Sequence, residues 1–360
     1  MRILIDIGHP AHVHCLKNLA CELQKKGHTF LFTCREKEFV IRFLKELGFN
    51  YKSFGRKYSS KFGKLWGLLE FDLKEVYHAI RFKPDIFVSL GSIYASHASF
   101  ILRKPNISLE DTYNIEQVRL YKPFTNCILT SDYDHPLKSE KILKYAGYHE
   151  LAYLHPNRFS PDKSVLNELG LKDKEKFVII RFVAWNASHD IGHKGLRWEN
   201  KLKAIKEFEK HAKVFISSED SLPTEFLKYK LPIAPSRIHH AIAFANLLYG
   251  ESSTMAEEAA MLGTPSIYLF NGSTYYTMHL ENEYGLIFNY SESEEDQLIS
   301  IQKGLELLSI PNLKENWQLK TKEMLSQKID VTAFLVWFIE NYPQSFTIMK
   351  ENPDYQLRFK

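Results

Sequence analysis

The segment Tyr249-Gly250-Glu251-Ser252-Ser253-Thr254-Met255-Ala256-Glu257-Glu258-Ala259-Ala260-Met261-Leu262-Gly263-Thr264-Pro265 carries the strongest chemical signal in the sequence. A strand ending at Gly250, a turn of small residues and a helix starting near Ser253 would leave free backbone N–H groups at a positive helix end. That arrangement binds anions. The hydroxyls of Ser252, Ser253 and Thr254 add donors. One turn into the helix, Glu257 or Glu258 can reach back over a phosphate to a sugar diol, because a carboxylate accepts two hydroxyl donors well. The same residues also make a plainly capped helix, with Ser253 as N-cap. Spacing alone does not separate the two readings.

Three further places hold reactive side chains. The turn Gly8-His9-Pro10-Ala11-His12-Val13-His14 puts three histidines after the first strand, and histidine suits proton transfer near neutral pH. The segment Ser108-Leu109-Glu110-Asp111-Thr112 puts carboxylates at a strand end. The segment Arg181 to Gly195 contains Arg181, His189 and Lys194, whose charge could face an anion. In that last segment His189, Asp190 and His193 are a weak metal set, and no metal is expected. Asp132-Tyr133-Asp134 mimics a metal-binding DxD but reads as a turn. There is no G-x-x-x-x-G-K-[ST] loop and no G-x-G-x-x-G after the first strand.

These residues need a scaffold, and the hydrophobic pattern supplies one. Arg2 to Ile7 reads as a strand. Leu16, Leu19, Ala20 and Leu23 recur at helical spacing, and Lys25-Lys26-Gly27 reads as the helix stop. Thr29 to Thr33 is the next strand, which makes a βαβ unit. Phe39 to Leu47 (helix), Tyr51 to Phe54, Ile86 to Leu90, Asn106 to Leu109 and Cys127 to Thr130 (strands) continue it. Tyr153 to Pro161 reads as a linker. The pattern then restarts with strand Phe177 to Phe182, helix Asn200 to His211, strand Val214 to Ser217, strand Ala245 to Tyr249, helix Met255 to Leu262 and strand Ser266 to Phe270. Val331 to Ile339 is a final apolar helix. The expected fold is α/β, with two doubly wound Rossmann-like domains facing a central cleft. The expected domains are 1–153 and 154–330, with 331–360 a helix and tail packing back on the first.

The segment from Ser252 through Glu257-Glu258-Ala259 to Gly263 and Pro265 is similar, without gaps, to the S-G-x-x-x-E-E-A-x-x-x-G-x-P element of the UDP-N-acetylglucosamine 2-epimerases. It also resembles the matching element of the N-acetylglucosaminyltransferase that makes lipid II. The whole chain more closely resembles a GT-B-like family, domain-of-unknown-function family 354. Ile5-Asp6-Ile7 before His12 and His14, Glu150 to His155, and Thr254-Met255-Ala256 with Glu258-Ala259-Ala260 carry that likeness. The resemblance implies a GT-B fold and a nucleoside-diphosphate sugar, UDP favoured, as donor substrate with no other cofactor. It implies that Glu258 binds ribose and Ser252 the diphosphate, with Gly250, Ser253, Thr254 and Arg181 beside them. His12-Val13 matches the His-Val of the lipid II-forming enzyme, which makes His12 a candidate base. Glu110 matches a catalytic glutamate of the epimerases, and His189 would help the departing nucleotide. The epimerases also carry an aspartate where this chain has Gly91-Ser92, so transfer is favoured over epimerisation. Ser253 and Thr254 stand where the relatives have two glycines.

The expected function is therefore transfer of a sugar to a glycan or lipid-linked acceptor in bacterial surface polysaccharide synthesis. The alternatives are an epimerase-like enzyme or a non-catalytic nucleotide-sugar-binding protein. The 360 residues are 44% hydrophobic and 25% charged, which excludes whole-chain disorder. A net charge of +4 does not call for nucleic acid. Cys15, Cys21, Cys34 and Cys127 form no CxxC pair, and the first apolar run is too short for a signal peptide, so a cytoplasmic protein with reduced thiols is expected. Aromatic residues reach 14%, most of them expected in the core. Tyr58, Phe62, Trp66, Trp185, Tyr275 and Tyr276 are the ones placed to meet a ligand or membrane. Arg56 to Leu69 reads first as an ordinary helix with an exposed basic loop. Peripheral contact with the inner membrane surface is its second reading.

Overall fold

The computed structural model describes every residue except 37–39, 57, 59, 173, 184–194, 219–220 and 273, and the side chains of residues 61 and 64. The chain divides into two compact units. One is Met1–Arg158 with Lys328–Lys360; the other is Phe159–Gln327.

The first unit runs β1 (Arg2–Ile7), α1 (Pro10–Lys25), β2 (Thr29–Glu36), α2 (Val40–Glu46), β3 (Tyr51–Arg56), α3 (Lys61–Phe82), β4 (Ile86–Leu90), α4 (Ile93–Leu102), β5 (Asn106–Glu110), α5 (Ile115–Tyr121), β6 (Cys127–Ser131), β7 (Ile142–Tyr145) and α6 (Leu151–Leu154). Its seven strands are all parallel, in the order β3-β2-β1-β4-β5-β6-β7. A parallel sheet is covered on both faces, so its strands are continuous apolar runs; Ile3, Leu4, Ile5 and Ile7 are fully buried. The expected βαβ start is observed, with α1 burying Leu16, Leu19, Ala20 and Leu23.

The second unit runs α7 (Ser164–Glu168), β8 (Phe177–Phe182), α8 (Trp198–Glu209), β9 (Lys213–Ser218), α9 (Ile238–Phe244), β10 (Leu247–Gly250), α10 (Ser253–Met261), β11 (Ser266–Leu269), α11 (Tyr275–Asn282), β12 (Ile287–Tyr290), α12 (Glu294–Ser309) and α13 (Leu313–Ser326). Its five parallel strands lie in the order β12-β11-β10-β8-β9. The chain then returns to the first unit as α14 (Val331–Glu340) and α15 (Gln344–Glu351). Thr332 on α14 donates to the Ala152 carbonyl (2.7 Å), and Asp330 accepts from Arg158 (2.8 Å). Phe334, Leu335, Phe338 and Ile339 are fully buried there.

Both sheets are Rossmann-like, and each has one point where the strand order reverses. These are β1/β4 in the first unit and β8/β10 in the second. In open α/β sheets, ligands bind outside the carboxyl ends of strands at such points, because the flanking helices leave in opposite directions and open a crevice. The turns Gly8–His12 and Gly91–Ser92 flank the first. Arg181 and Gly250–Ser252 flank the second.

Candidate functional site

In the second unit, β10 ends at Gly250 for a steric reason. Its φ is +151°, and an added Cβ would stand 2.1 Å from the Arg181 carbonyl oxygen of β8. Only glycine lets the two strands approach here. Ser252, rather than Ser253, is the N-cap of α10, and its hydroxyl accepts from the Met255 N–H (3.3 Å). That frees Ser253 for another partner, and its hydroxyl accepts from the Tyr276 hydroxyl (2.8 Å). Ser252, Ser253 and Thr254 are half-buried. No acidic side chain stands in the first turn of α10, although Glu251 immediately precedes its N-cap.

Glu258, one turn further on, is buried. The ring N–H of His239 on α9 donates to its Oε1 at 2.8 Å, and His239 is buried too. The Phe159 ring meets the His239 ring edge-to-face and the His240 ring at a tilt (6.2 and 4.7 Å between centroids). A buried carboxylate needs a donor, and α9 supplies it. Sequence reading did not find His239; the His239-His240 pair just before β10 was the available signal.

Glu251 was also passed over. It is buried, and its carboxylate accepts from the Val183 N–H (3.1 Å) and the Leu196 N–H (2.6 Å), with Lys201 Nζ at 3.7 Å. It therefore ties the end of β8 to the start of α8. Arg181 donates to Ser217 on β9 (2.9 Å) and stands opposite Gly250 in the β8–β10 register. His189, and with it Trp185, Asp190, His193 and Lys194, lies outside the described residues.

In the first unit the three histidines separate into different roles. His9 is the N-cap of α1, its Nδ1 accepting from the Ala11 N–H (3.2 Å). His14 packs between Phe43 and Tyr153, at 5.0 and 5.4 Å between ring centroids. His12 is half-buried, and its Nδ1 accepts from the Gly8 N–H (3.3 Å). That contact places the ring proton of neutral His12 on Nε2. So held, Nε2–H is a hydrogen-bond donor.

Beneath the turn, Asp6 is fully buried at the end of β1. It accepts from Ser92 (2.6 Å), Thr33 (3.2 Å) and Arg35 (3.3 Å). The Arg35 guanidinium lies 4.8 Å from the Tyr94 ring centroid and directly against Gly8, where a Cβ would be 2.7 Å from Nη2. Arg35 was not found from the sequence, although an aspartate inside an apolar strand requires such a partner.

Glu110 is buried and turned into its own β5–α5 connection. It accepts from the N–H groups of Asp111 (3.2 Å) and Tyr113 (2.9 Å), and from the Tyr121 hydroxyl. Burial pushes its carboxyl up, against the pull of those donors. The neighbouring Asp111 is only half-buried, and burial raises its carboxyl to about 6. Asp111 and Glu150 both raise the Cys15 thiol on α1, after burial itself. His149, after β7, is pushed down to about 4 by burial and bonds the Tyr145 hydroxyl (2.7 Å). Of the residues named from the sequence, the first unit brings His12 to the carboxyl edge of the sheet and withdraws Glu110 into a turn.

Asp132 of the DxD mimic is held by Lys328 (3.1 Å). Among the six aromatic positions, Tyr276 is buried against Ser253. Tyr58 precedes α3 and donates to Glu70 on that helix (2.7 Å), while Tyr275, Phe62 and Trp66 are exposed.

A family model described as "Protein of unknown function (DUF354)" matches residues 1–298. No curated protein matches. Among solved structures, a UDP co-structure of S. aureus MnaA has a TM-score of 0.68 at 12% identity, covering 96% of this chain and 98% of that one. The UDP-GlcNAc 2-epimerase from Neisseria meningitidis, bound to UDP-GlcNAc, has 0.61 at 15%, covering 91% and 100%. Acinetobacter baumannii MurG has 0.61 at 13%, covering 94% and 99%. The shared feature at these identities is the fold, GT-B.

Proposed function

This chain belongs to the DUF354 family, and we propose that it is a glycosyltransferase using a nucleoside-diphosphate sugar, UDP favoured, with a glycan or lipid-linked acceptor. The observation that carries the reading is the β10–α10 turn, a helix N-terminus with no acid in its first turn, followed one turn later by a buried carboxylate held by His239. A capped helix alone needs no buried glutamate. UDP is favoured because solved structures of the same fold are described with UDP and UDP-GlcNAc bound.

In this reading the donor diphosphate lies at the N-terminus of α10, with Ser252, Ser253 and Thr254 around it and Gly250 keeping the approach open. Glu258 accepts from the ribose hydroxyls. Arg181 and the helix dipole meet the charge that develops on the leaving diphosphate, so the reading requires no metal. On the acceptor side Asp111 takes the proton of the attacking hydroxyl. The new bond forms between that oxygen and the anomeric carbon, the bond from that carbon to the diphosphate oxygen breaks, and the electron pair leaves with the diphosphate. A carboxyl raised to about 6 suits this step, being ionised at neutral pH yet more basic than an ordinary aspartate. His12, through Nε2–H, orients the acceptor. Glu110 holds the turn that carries Asp111.

Epimerisation would need an acid and a base on opposite faces of the sugar. Glu110, the residue that matched the epimerase glutamate, is occupied by Tyr121 and the turn N–H groups, which weighs against that reading. The test is UDP-N-acetylglucosamine incubated with the protein, without acceptor, followed by NMR. The expected result is line broadening from binding with no 2-epimer. Appearance of the 2-epimer would overturn transfer in favour of epimerisation. Absence of binding across a panel of nucleotide sugars would overturn the nucleotide-sugar reading altogether.

A further inference from the structure

We propose that α3 is an interfacial helix that docks the first unit on an anionic lipid surface. Phe62, Trp66, Leu69, Leu73, Tyr77 and Ile80 follow one another at intervals of three or four residues, so they share one face of the helix. All six are more than half exposed, Phe62 at 90% and Leu73 at 72%. The core-facing side is already satisfied. Ala79 is buried in a cluster with Leu4, Leu31 and Phe87, with Val76 and Phe82 packed against it. The helix therefore presents a second apolar face that the described residues of the unit leave exposed, with Arg81 lying over the Tyr77 ring toward its end. Soluble proteins rarely expose so continuous a patch without a partner for it.

Charge identifies the partner. The segment Arg56–Lys83 holds seven Lys and Arg against three Asp and Glu, a net of +4, equal to that of the whole chain. The rest of the protein is thus neutral, and the excess falls in the sequence segment that carries the apolar stripe. The three acids are also committed. Glu75 is fully buried, Glu70 pairs with Lys74 (2.6 Å), and Asp72 pairs with His97 (2.9 Å). A second copy of the chain would bring the same positive segment against itself in a two-fold contact, which like charges oppose. An anionic bilayer offers apolar depth and negative charge together, and Trp and Tyr favour its interface. No described helix is long and apolar enough to cross a membrane, so α3 would lie in the surface plane. It begins just after β3, so its Phe62 end lies at the carboxyl edge of the sheet, the edge that carries His12 and Asp111.

The test uses the full chain and sedimentation with vesicles of phosphatidylcholine containing one quarter phosphatidylglycerol, against pure phosphatidylcholine. The expected result is at least tenfold tighter binding to the anionic vesicles, lost in 0.5 M salt. The triple variant Phe62→Ser, Trp66→Ser, Leu69→Ser changes only exposed positions. It should lose vesicle binding at least tenfold while keeping the wild-type melting temperature and UDP affinity. Equal binding to neutral vesicles, no binding to either, or full binding by the triple variant would each overturn the proposal. So would a wild-type dimer in light scattering that the triple variant breaks, which would assign the face to a second copy. UDP binding is read separately, so failure of the donor-site reading leaves this result interpretable.

Discussion

His239 Nε2 stands 2.8 Å from Glu258 Oε1, and each side chain is only 7% exposed. The pair joins α9 to α10, the helices before and after β10, and holds the carboxylate in one orientation. A donor of this kind does two things at once. It offsets the cost of burying Glu258, and it sets the direction in which the carboxylate is held.

Glu258→Gln should weaken UDP binding about 10- to 100-fold, because a charge-assisted hydrogen bond is worth about 1.5–3 kcal/mol. Calorimetry with UDP measures it. His239→Gln retains an N–H donor and should bind within a few-fold of wild type, whereas His239→Leu should approach the Glu258→Gln loss. Equal UDP affinity in His239→Leu and wild type would remove His239 from any positioning role.

Asp111 supplies a pH test with a definite sign. Burial raises its carboxyl from 3.8 to about 6 in the folded protein, so the folded state holds this proton more tightly than the unfolded chain. Its contribution is fully present below about pH 4 and is lost as pH rises to about 6, at a cost of about 1–3 kcal/mol. Asp111→Asn removes that cost. It should melt higher than wild type at pH 7, with the difference vanishing at pH 4. Its turnover should fall about 10²- to 10⁴-fold. The wild-type rate should rise with pH to a midpoint of about 6. A variant that is stabilised but fully active would show that Asp111 is not the base.

Residues that must be near in sequence were legible, and residues brought together by the fold were not. The βα turns at Gly8–His12 and Gly250–Ser252 follow from strand, small-residue and helix patterns within a dozen residues. Glu258 sits on such a pattern, but its partner His239 lies 19 positions upstream on a helix too short to show periodicity. Asp6 demanded a partner without saying which. Arg35 answers it because β2 runs parallel beside β1, with Thr33 opposite Asp6. Glu110 and Asp111 are adjacent, so no spacing rule could decide which carboxylate turns inward. Tyr121 from α5 decides it. The Arg56–Leu69 stretch showed basic and aromatic residues, but only the packing of Ala79 and Phe82 shows which face of α3 is left over.

The four thiols should report the fold directly. Cys15, Cys34 and Cys127 are buried, and burial raises each thiol, that of Cys34 to about 12. Cys21 alone is half-buried. Reaction with a thiol-specific chromogenic disulfide at pH 8 should therefore release one equivalent rapidly from the native protein and four in denaturant. Rapid release of two or more equivalents from the native state would contradict the burial of the β1–β2 and α1 layer.

Glu251 should be the most sensitive position of the β10–α10 motif for stability, more so than Glu258. Its two oxygens each accept a backbone N–H, from Val183 and Leu196, and Lys201 adds a cation at 3.7 Å. Glu251→Ala leaves two buried N–H groups and a lysine without their acceptor, a loss of about 3–5 kcal/mol by analogy with breaking a buried ion pair. Glu251→Gln keeps one carbonyl acceptor but turns an N–H₂ group toward the other N–H, so donor faces donor and the cost stays near that of alanine. Glu258→Gln, by contrast, can keep its acceptor toward His239 and should lose less stability than ligand affinity. Urea denaturation of the three variants separates these outcomes. A Glu251→Gln midpoint equal to wild type would mean that one N–H suffices to join β8 to α8. The carboxylate charge facing Lys201 would then add nothing measurable to stability.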